Sequence, residues 1–385
     1  FIMANLKVNT VSGIGTEGTV LDGGLHFRSK NYLTLPKGTT TERTATSSGI
    51  STETGSIRYN TDSNKMECYV GSKWMIVATS SPTLDGGARA VFHSGRISSS
   101  NDKNNIDYIT ISTAGNAIDF GDSSQSTEGN NTSCVASRIR GIYAGGYQHP
   151  GGHHNQIGFI TFSSTGNSTD FGNLTQSRRA IAGVSNATRG VFCGGLSPTN
   201  RDTIDFVTIA STGDAVDFGN LTQARQSGTA MSSPTRGVIY GGYFHPSYVA
   251  NEFITIASTG NAQEFGDAYN SSSNRYNASG ISNSIRGLIG GGNLEPSQSK
   301  YIESYQLATF GDGTSFGDLS TNTRTKHGTT SPVRGVFAGG RSPADPGTAG
   351  IEYVSMQTEG DAVNFGDLTQ ARYEHAPMGN AHGGL

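Results

Sequence analysis

The strongest constraint on this chain is a unit of about fifty residues that occurs six times after Arg89. The third copy reads TRGVFCGG, TIDFVTIASTG and DAVDFGNLTQAR over residues 188–225. Repeats of this period are typical of solenoids and propellers, so a residue type that recurs in every copy is interpreted first as structural. The opening arginines lie 51, 49, 47, 50 and 48 residues apart, at Arg89, Arg140, Arg189, Arg236, Arg286 and Arg334.

Each copy divides into four strand-like segments. In the third copy, GVFCGG is a short apolar run and IDFVTIAS alternates apolar with polar residues, as a half-buried strand does. STGD predicts a turn before the strand AVDFGNL, and the small polar stretch SGTAMSSPT suits a strand at a crowded axis. The high count of 54 glycines fits short strands joined by turns. Four antiparallel strands per copy are typical of one propeller blade.

We therefore predict an all-β fold, with a six-bladed β-propeller over residues 81–385 after a small β-rich module over residues 1–80. The predicted ring is closed by a strand within 373–383 that pairs with ARAVFHSG (88–95), which would leave no open edge. The N-terminal eighty residues do not share the repeat. Their stretch GSIRYNTDSNKMECYVGSKWMIVATS (55–80) predicts three strands joined by two turns.

The lengths of the loops predict where function resides. The spacing from the opening arginine to the second glycine of the pair is constant, and so is the spacing from the turn glycine to the next Phe. Length varies only between the second and third strands and between one copy and the next. Since a rigid scaffold usually carries its binding residues on loops, we predict recognition at the end of the sheets that holds the variable loops.

These variable loops contain aromatic, amide and charged side chains. Aromatic faces stack on sugars or apolar groups, and polar groups orient a ligand, so the combination suits recognition of a glycan or a protein. The alternative is that they are ordinary loop residues. The candidate ligand-binding residues are Tyr147, His149, Asn200, Arg201, Tyr243, Phe244, His245, Tyr248, Asn293, Glu295, Arg341 and Asp345.

Two apparent motifs are better explained by the repeat. Asp-Phe-Gly occurs at 119–121, 170–172 and 217–219, with variants in the other three copies, so it predicts a core Phe and an acid that bonds local backbone rather than a kinase motif. His149, His153, His154 and His245 lie in Gly/Pro loops without a matching carboxylate. We interpret them as surface histidines and predict no metal site.

Composition narrows the function classes further. A net charge of -3 argues against nucleic-acid binding, which needs a clustered positive field. No stretch approaches 18 apolar residues, so we expect no membrane insertion. The carboxylates Glu252, Glu295, Glu303 and Asp345 are scattered and no nucleophile motif occurs, so we expect neither an enzyme nor a cofactor.

The repeats resemble Kelch-type β-propellers. The residues that carry this resemblance are FAGG (337–340), IDYITI (106–111), DFGNL (217–221) and the trailing arginine of TQAR (222–225). They correspond to the paired glycines, the apolar strand, the Trp and the Arg of Kelch repeats. The chain departs from that pattern because Phe stands in place of Trp.

The N-terminal stretch GSIRYNTDSNKMECYVGSKW, preceded by LPKGTTTER, is similar to a small β-module of phage tail fibres and virion proteins. With the repeats, it resembles structural proteins of tailed phages that infect marine cyanobacteria. The resemblance implies a virion appendage, for which a trimer is the usual fibre arrangement. We therefore expect a homo-oligomer on the virion exterior, with residues 1–80 bound to other virion proteins and the variable loops of the propeller facing a host cell-surface partner, a glycan or a protein, of which we favour a glycan. Two alternatives stay open, which are an architectural decoration protein and an appendage enzyme that degrades polysaccharide.

Overall fold

The computed structural model of the chain describes residues 35–43, 54–63, 65–76, 88–98, 101–124, 133–148, 151–244, 250–268, 275–294, 297–342 and 347–385. Contacts divide the chain into two compact units, Phe1–Pro82 and Thr83–Leu385. Among the described residues, no helix is long and apolar enough to span a bilayer.

The first unit contains one small sheet in the strand order β1-β2-β3-β4. The first two strands are parallel and the others are antiparallel. A short 3-10 helix (Thr41–Arg43) follows the first strand. The strands are β1 (Lys37–Gly38), β2 (Ile57–Asn60), β3 (Lys65–Val70) and β4 (Lys73–Ile76), of which the last three follow the alternation in the sequence.

The two faces of this sheet differ in chemistry. One face buries Asn60 and Glu67 completely, and Glu67 forms an ion pair with Arg43. Strand register places Ile57, Cys68 and Met75 side by side on the opposite face. There Ile57 is 45% exposed and Met75 is 55% exposed. We call this second surface the apolar face; its residues are Ile57, Tyr59, Met66, Cys68, Val70 and Met75, with Lys73 at its edge opposite Val70.

The second unit contains six four-stranded antiparallel sheets. The first repeat supplies β5 (Arg89–Ser98), β6 (Asn101–Thr110) and β7 (Ile118–Asp122). The second supplies β8 (Ser133–Ala136), β9 (Arg140–Ala144), the hairpin of β10 (Tyr147–Gln148) and β11 (Gly152–His153), β12 (Gln156–Thr161) and β13 (Thr169–Asn173). The third supplies β14 (Ala182–Ser185), β15 (Arg189–Leu196), β16 (Asn200–Thr208) and β17 (Val216–Arg225).

The remaining repeats follow the same order. The fourth supplies β18 (Thr229–Ser232), β19 (Arg236–Tyr240), β20 (Asn251–Thr255) and β21 (Gln263–Gly266). The fifth supplies β22 (Arg275–Tyr276), β23 (Ser279–Ser282), β24 (Arg286–Gly290), β25 (Asn293–Leu294), β26 (Ser297–Gln298), β27 (Tyr301–Gln306) and β28 (Thr314–Asp318), with β22, β25 and β26 forming a small separate sheet. The sixth supplies β29 (His327–Thr330), β30 (Arg334–Ala338), β31 (Gly350–Ser355) and β32 (Val363–Asp367), and the chain then forms β33 (Ala376–Gly379).

The predictions of an all-β fold and of four antiparallel strands for each repeat are confirmed. Strand β33 pairs antiparallel with β5, so that Ala376 lies opposite His93 and Gly379 lies opposite Ala90. The first strands of successive sheets also contact one another, in the order β8, β14, β18, β23, β29 and β33, and β33 contacts β8.

The Phe of each Asp-Phe-Gly-like motif packs in the core between sheets, as predicted. All six are at most 4% exposed: Phe120, Phe171, Phe218, Phe265, Phe316 and Phe365. The prediction for the acid was wrong. Asp119, Asp170 and Asp217 are exposed, because the neighbouring position in a strand points to the opposite face. Of the three, Asp170 accepts a hydrogen bond from the Gln156 side chain at 3.1 Å.

The paired glycines permit a close approach between backbones, as the sequence suggested. Gly194 and Gly195 have φ angles of 66° and 116°. A Cβ atom on Gly194 would lie 2.8 Å from the Arg225 carbonyl oxygen, so no side chain fits there. In the first repeat, Ser94 takes the first of these positions with a φ of 57°.

Candidate functional site

The two ends of the six sheets are built differently. Because neighbouring strands are antiparallel, the turns after the first and third strands lie at one end, which we call the uniform end. The loops after the second strand and the connections between sheets lie at the other end, which we call the variable end. The candidate ligand-binding residues that the structure describes lie at this variable end, in the loops or in the strand ends beside them.

At the uniform end, each opening arginine reaches the next sheet. Arg140 Nη1 donates to the Ala210 carbonyl at 3.0 Å, and Arg189 Nη1 donates to the Ala257 carbonyl at 2.9 Å. Arg334 of the sixth sheet donates to the Ile111 carbonyl of the first at 2.9 Å. Each guanidinium also lies over an aromatic ring of its own sheet, as Arg189 does over Phe206 at 4.6 Å.

Toward the variable end, buried ion pairs link the sheets. A cation at or beyond the end of the fourth strand of one sheet pairs with an acid in the third strand of the next. Arg178 Nη1 lies 2.7 Å from Asp205 Oδ2, and both side chains are fully buried. A buried charge is stable only when it is paired, so these residues hold each other in place. The five pairs are Arg178–Asp205, Arg225–Glu252, Arg275–Glu303, Lys326–Glu352 and Arg372–Asp107.

The second sheet has Gly158 where the other five sheets have this acid. The Tyr143 side chain occupies the vacated space, because a Cβ atom on Gly158 would collide with the Tyr143 ring. The Tyr143 hydroxyl lies 2.8 Å from Ser168 Oγ. Its ring stacks on His93 at a centroid distance of 3.8 Å. Burial, with a smaller contribution from the positive charge of Arg372, lowers the pKa of His93 to about 3, so His93 is neutral.

A collar of backbone hydrogen bonds joins the connections between sheets. Its members are non-glycine residues with φ angles of 53° to 57°. This left-handed backbone conformation is strained for such residues and persists only where the surrounding contacts hold it. Ser227 N donates to the Ala180 carbonyl at 3.0 Å, and the next three members repeat this bond. The collar residues are Ala180, Ser227, Asn277, Thr325 and Glu374.

A cavity of about 120 Å³ lies among the first strands of the sheets. Ser279 Oγ and His327 Nε2 line it, and neither atom has a hydrogen-bond partner among the described residues. At its uniform end, His382 Nε2 lies 2.9 Å from the Ala136 carbonyl, and Gly383 N donates to the Ser282 carbonyl at 2.7 Å. The cavity has room for several water molecules, and no carboxylate occurs among the described residues that line it.

The structure places Tyr147 and Tyr243 in local aromatic contacts. Tyr147 is half-buried, meets His153 edge-on at 5.4 Å, and carries the Arg179 guanidinium over its ring at 4.9 Å. Tyr243 meets Tyr276 at 5.1 Å. Each ring is therefore held by a residue of a different loop segment, so these aromatics are positioned rather than free to rotate.

The candidate polar residues differ in accessibility. Asn200 is half-buried and donates from Nδ2 to the Tyr243 carbonyl at 3.0 Å, which links two neighbouring loops. Arg201 bonds the Ser197 carbonyl of its own loop through Nε at 2.8 Å. Asn293 was expected at an exposed loop position, but it is only 6% exposed because it pairs with Tyr276 in the small sheet.

Phe244 and Arg341 are half-buried at the same end. Arg341 lies over the Tyr373 ring at 5.5 Å and opposite Arg324 in a β-bridge. The other candidates fall outside the described residues: His149, His245, Tyr248, Glu295 and Asp345. No group of three potential metal ligands occurs among the residues that the structure describes.

The buried ion pairs were not predicted from the sequence. The trailing arginine was recognised, but its partner lies in the next copy and about thirty residues further along, where the acid appeared to be only one polar position of an alternating strand. The recurrence of Asp or Glu at Asp107, Asp205, Glu252, Glu303 and Glu352 was the available signal. No recurring residue type in the sequence marks the cavity or the collar, because backbone groups form most of both.

No protein-family model matches this chain, and a comparison with curated proteins finds no relative of it.

Proposed function

We propose that the protein is a receptor-binding component of a bacteriophage particle. In this proposal, the second unit is a six-bladed β-propeller whose variable end binds a glycan of the host surface. The observation that carries the proposal is the confinement of variation to one end of six otherwise similar sheets. A rigid scaffold that varies only in the loops of one end is typical of recognition proteins.

Contacts between the last and first sheets support the propeller. The sixth sheet reaches the first at both ends, through Arg334 to the Ile111 carbonyl and through Arg372 to Asp107. Strand β33 adds a pairing to β5. The bond from an opening arginine joins every pair of neighbouring sheets, and a buried ion pair joins every pair except the first and second sheets. Such recurrence from the sixth sheet back to the first favours a circular arrangement over an open stack.

The chemistry of the variable end supports binding over catalysis. Carboxylates of the third strands, such as Asp205 and Glu252, are buried and neutralised by arginines. Positioned tyrosines and arginines offer flat faces and directed donors, which suit sugar rings with polar substituents. Several weak contacts on one particle would add through a high effective concentration, particularly in an oligomer.

The first unit is proposed as the attachment and oligomerisation module. Its apolar face exposes Ile57, Val70 and Met75. Association with another chain would cover these side chains and remove them from water. Residues 1–80 would bind other virion proteins, and the resemblance to phage fibres favours a trimer on the virion exterior.

A second candidate function is purely architectural. Three large apolar side chains at the uniform end precede opening arginines: Ile139, Ile285 and Val333 are 66%, 63% and 55% exposed. Such residues favour packing of this end on another protein. In a reconstruction of the particle, a variable end packed against virion proteins would support this candidate and exclude the receptor proposal.

Binding of the purified full-length chain to host cells tests the receptor proposal. We expect the double variant Tyr147→Ala/Tyr243→Ala to bind at least about tenfold more weakly, because it removes two positioned aromatic faces. Val216→Ser is the matched control, since Val216 is 58% exposed on the fourth strand of the third sheet, away from the loops. Equal binding by the double variant and the wild type would contradict the proposal.

A further inference from the structure

The connections between sheets pair with the loops of the variable end at one recurring position. In each case, the residue before the collar residue lies opposite the residue that follows the glycine pair. The five described pairs are Arg179–Leu196, Gln226–Tyr243, Tyr276–Asn293, Arg324–Arg341 and Tyr373–Arg96. Among these, Arg324–Arg341 alone places two cations opposite each other.

The backbone geometry fixes the two arginines on one side of the ribbon. Arg324 N donates to the Arg341 carbonyl at 3.1 Å, and Arg341 N donates to the Arg324 carbonyl at 2.9 Å. A pair that exchanges both bonds has its Cα atoms about 5.5 Å apart and its side chains on the same face. Like charges in this position repel each other and destabilise the pair.

Nearby cations have acidic partners, which sets this pair apart. Lys326 pairs with Glu352, and Arg96 lies 3.4 Å from Glu374. Among the described residues, no carboxylate forms an ion pair with Arg324 or Arg341. Arg341 is oriented by the Tyr373 ring at 5.5 Å, and both arginines are half-buried, so their donors remain accessible.

We propose that Arg324 and Arg341 form an oxyanion-binding site for an acidic glycan. Two guanidinium groups can hold the carboxylate of a uronic acid or the sulfate of a sulfated sugar through paired N–H donors, which removes their mutual repulsion. This inference rests on the proposed recognition function and names the class of glycan. A glycan is favoured over an acidic peptide because Tyr243 and Tyr276, held edge-on to each other at 5.1 Å, offer aromatic surface at the preceding connection.

Calorimetric titration of the full-length chain tests this site. The probes are oligogalacturonate, a sulfated oligosaccharide, a neutral oligosaccharide of the same length and a poly-glutamate peptide. We expect at least one charged glycan to bind more tightly than the neutral one, with an affinity that falls as salt rises. The double variant Arg324→Gln/Arg341→Gln should lose roughly ten- to a hundredfold in affinity for it.

Arg138→Gln is the matched control, because Arg138 is an exposed arginine in the turn before β9, at the uniform end and away from the proposed site. It should keep the affinity for the charged glycan. Equal affinity of the Arg324/Arg341 double variant and the wild type would overturn the site, as would tighter binding of poly-glutamate than of either charged glycan.

Failure of this site can be told from failure of the proposed function. If the Arg324/Arg341 double variant binds host cells as the wild type does, while Tyr147→Ala/Tyr243→Ala does not, the receptor proposal stands and the oxyanion site is wrong. If neither double variant changes cell binding, the receptor proposal itself fails.

Discussion

The uniform and variable ends of the second unit join the same sheets by different kinds of bond. At the uniform end, an arginine donates to backbone carbonyls, as Arg140 does to Ala210. Toward the variable end, one side chain bonds another, as Arg178 does to Asp205. A bond to the backbone requires one residue type in each copy, whereas a bond between side chains requires two residues that match.

This difference explains which end tolerates change. All six opening arginines are present. The side-chain pairs use Asp or Glu with Arg or Lys, and the second sheet replaces its acid with Gly158 and fills the space with Tyr143. A side-chain junction can therefore be exchanged for another when both partners change together. Such exchange allows the neighbouring loops to diverge while the sheets stay joined.

Breaking one buried ion pair should have the largest effect. Asp205→Ala leaves the buried Arg178 charge without a carboxylate, although Nη2 keeps its bond to the Phe192 carbonyl, and we expect a loss of about 3–5 kcal/mol in the free energy of unfolding. Urea denaturation measures this loss. Asp217→Ala in the same sheet is the control, since Asp217 is exposed and its removal should cost less than about 0.5 kcal/mol. A similar small loss for both variants would show that the pair does not stabilise the junction.

Acid should act on the junction that lacks an acid–arginine pair. His93 has a folded-state pKa of about 3, below its ordinary 6.5, so the unfolded chain takes up a proton first as the pH falls. Stability is therefore lost between pH 6.5 and pH 3, by about 3 kcal/mol at pH 4 from this residue. Urea denaturation of His93→Gln across this range should show a shallower pH dependence. An unchanged pH dependence would contradict the assignment.

At the uniform end, we expect a smaller effect from one arginine. Arg189→Met keeps the apolar stem but removes the bonds to the Ile256 and Ala257 carbonyls and the contact with Phe206. The free energy of unfolding should fall by about 2 kcal/mol. Arg138→Ala is the control, since Arg138 is exposed in the turn before β9. If the loss for Arg189→Met exceeds that for Asp205→Ala, the ranking of the two ends is wrong.

The smallest effect should come from the replacement junction. Tyr143→Phe removes the hydroxyl that bonds Ser168 and leaves the ring over His93, so we expect a loss of about 1 kcal/mol. Tyr108→Phe provides the comparison, because the Tyr108 ring lies under Arg89 but no described residue bonds its hydroxyl. Thermal denaturation of the two variants separates the effect of the hydroxyl on stability from that of the ring. Equal unfolding midpoints for Tyr143→Phe and Tyr108→Phe would contradict a stabilising role of the Tyr143 hydroxyl.

Much of the fold could be predicted because the signals are local and repeated. The alternation in IDFVTIAS gives strand β16, and the paired glycines mark the close approach at Gly194. The partner of Arg178 could not be predicted, because two copies had to be placed side by side before Asp205 became its neighbour. The burial of Asn293 was missed for a similar reason, since Tyr276 comes from a different connection. The ligand-binding role of the candidate residues stays a prediction.

The pairing of β33 with β5 has a consequence for synthesis. Ala376 must reach His93, so the edge of β5 that faces away from β6 has no partner until 278 residues beyond Ser98 have been made. At about 5–20 residues per second, this interval lasts roughly 15–60 s. An unpaired strand edge is a template for association with other nascent chains. Until β33 has been made, the growing chain can therefore aggregate through the open edge of β5. Expression at low temperature or with a chaperone should raise the yield of folded protein.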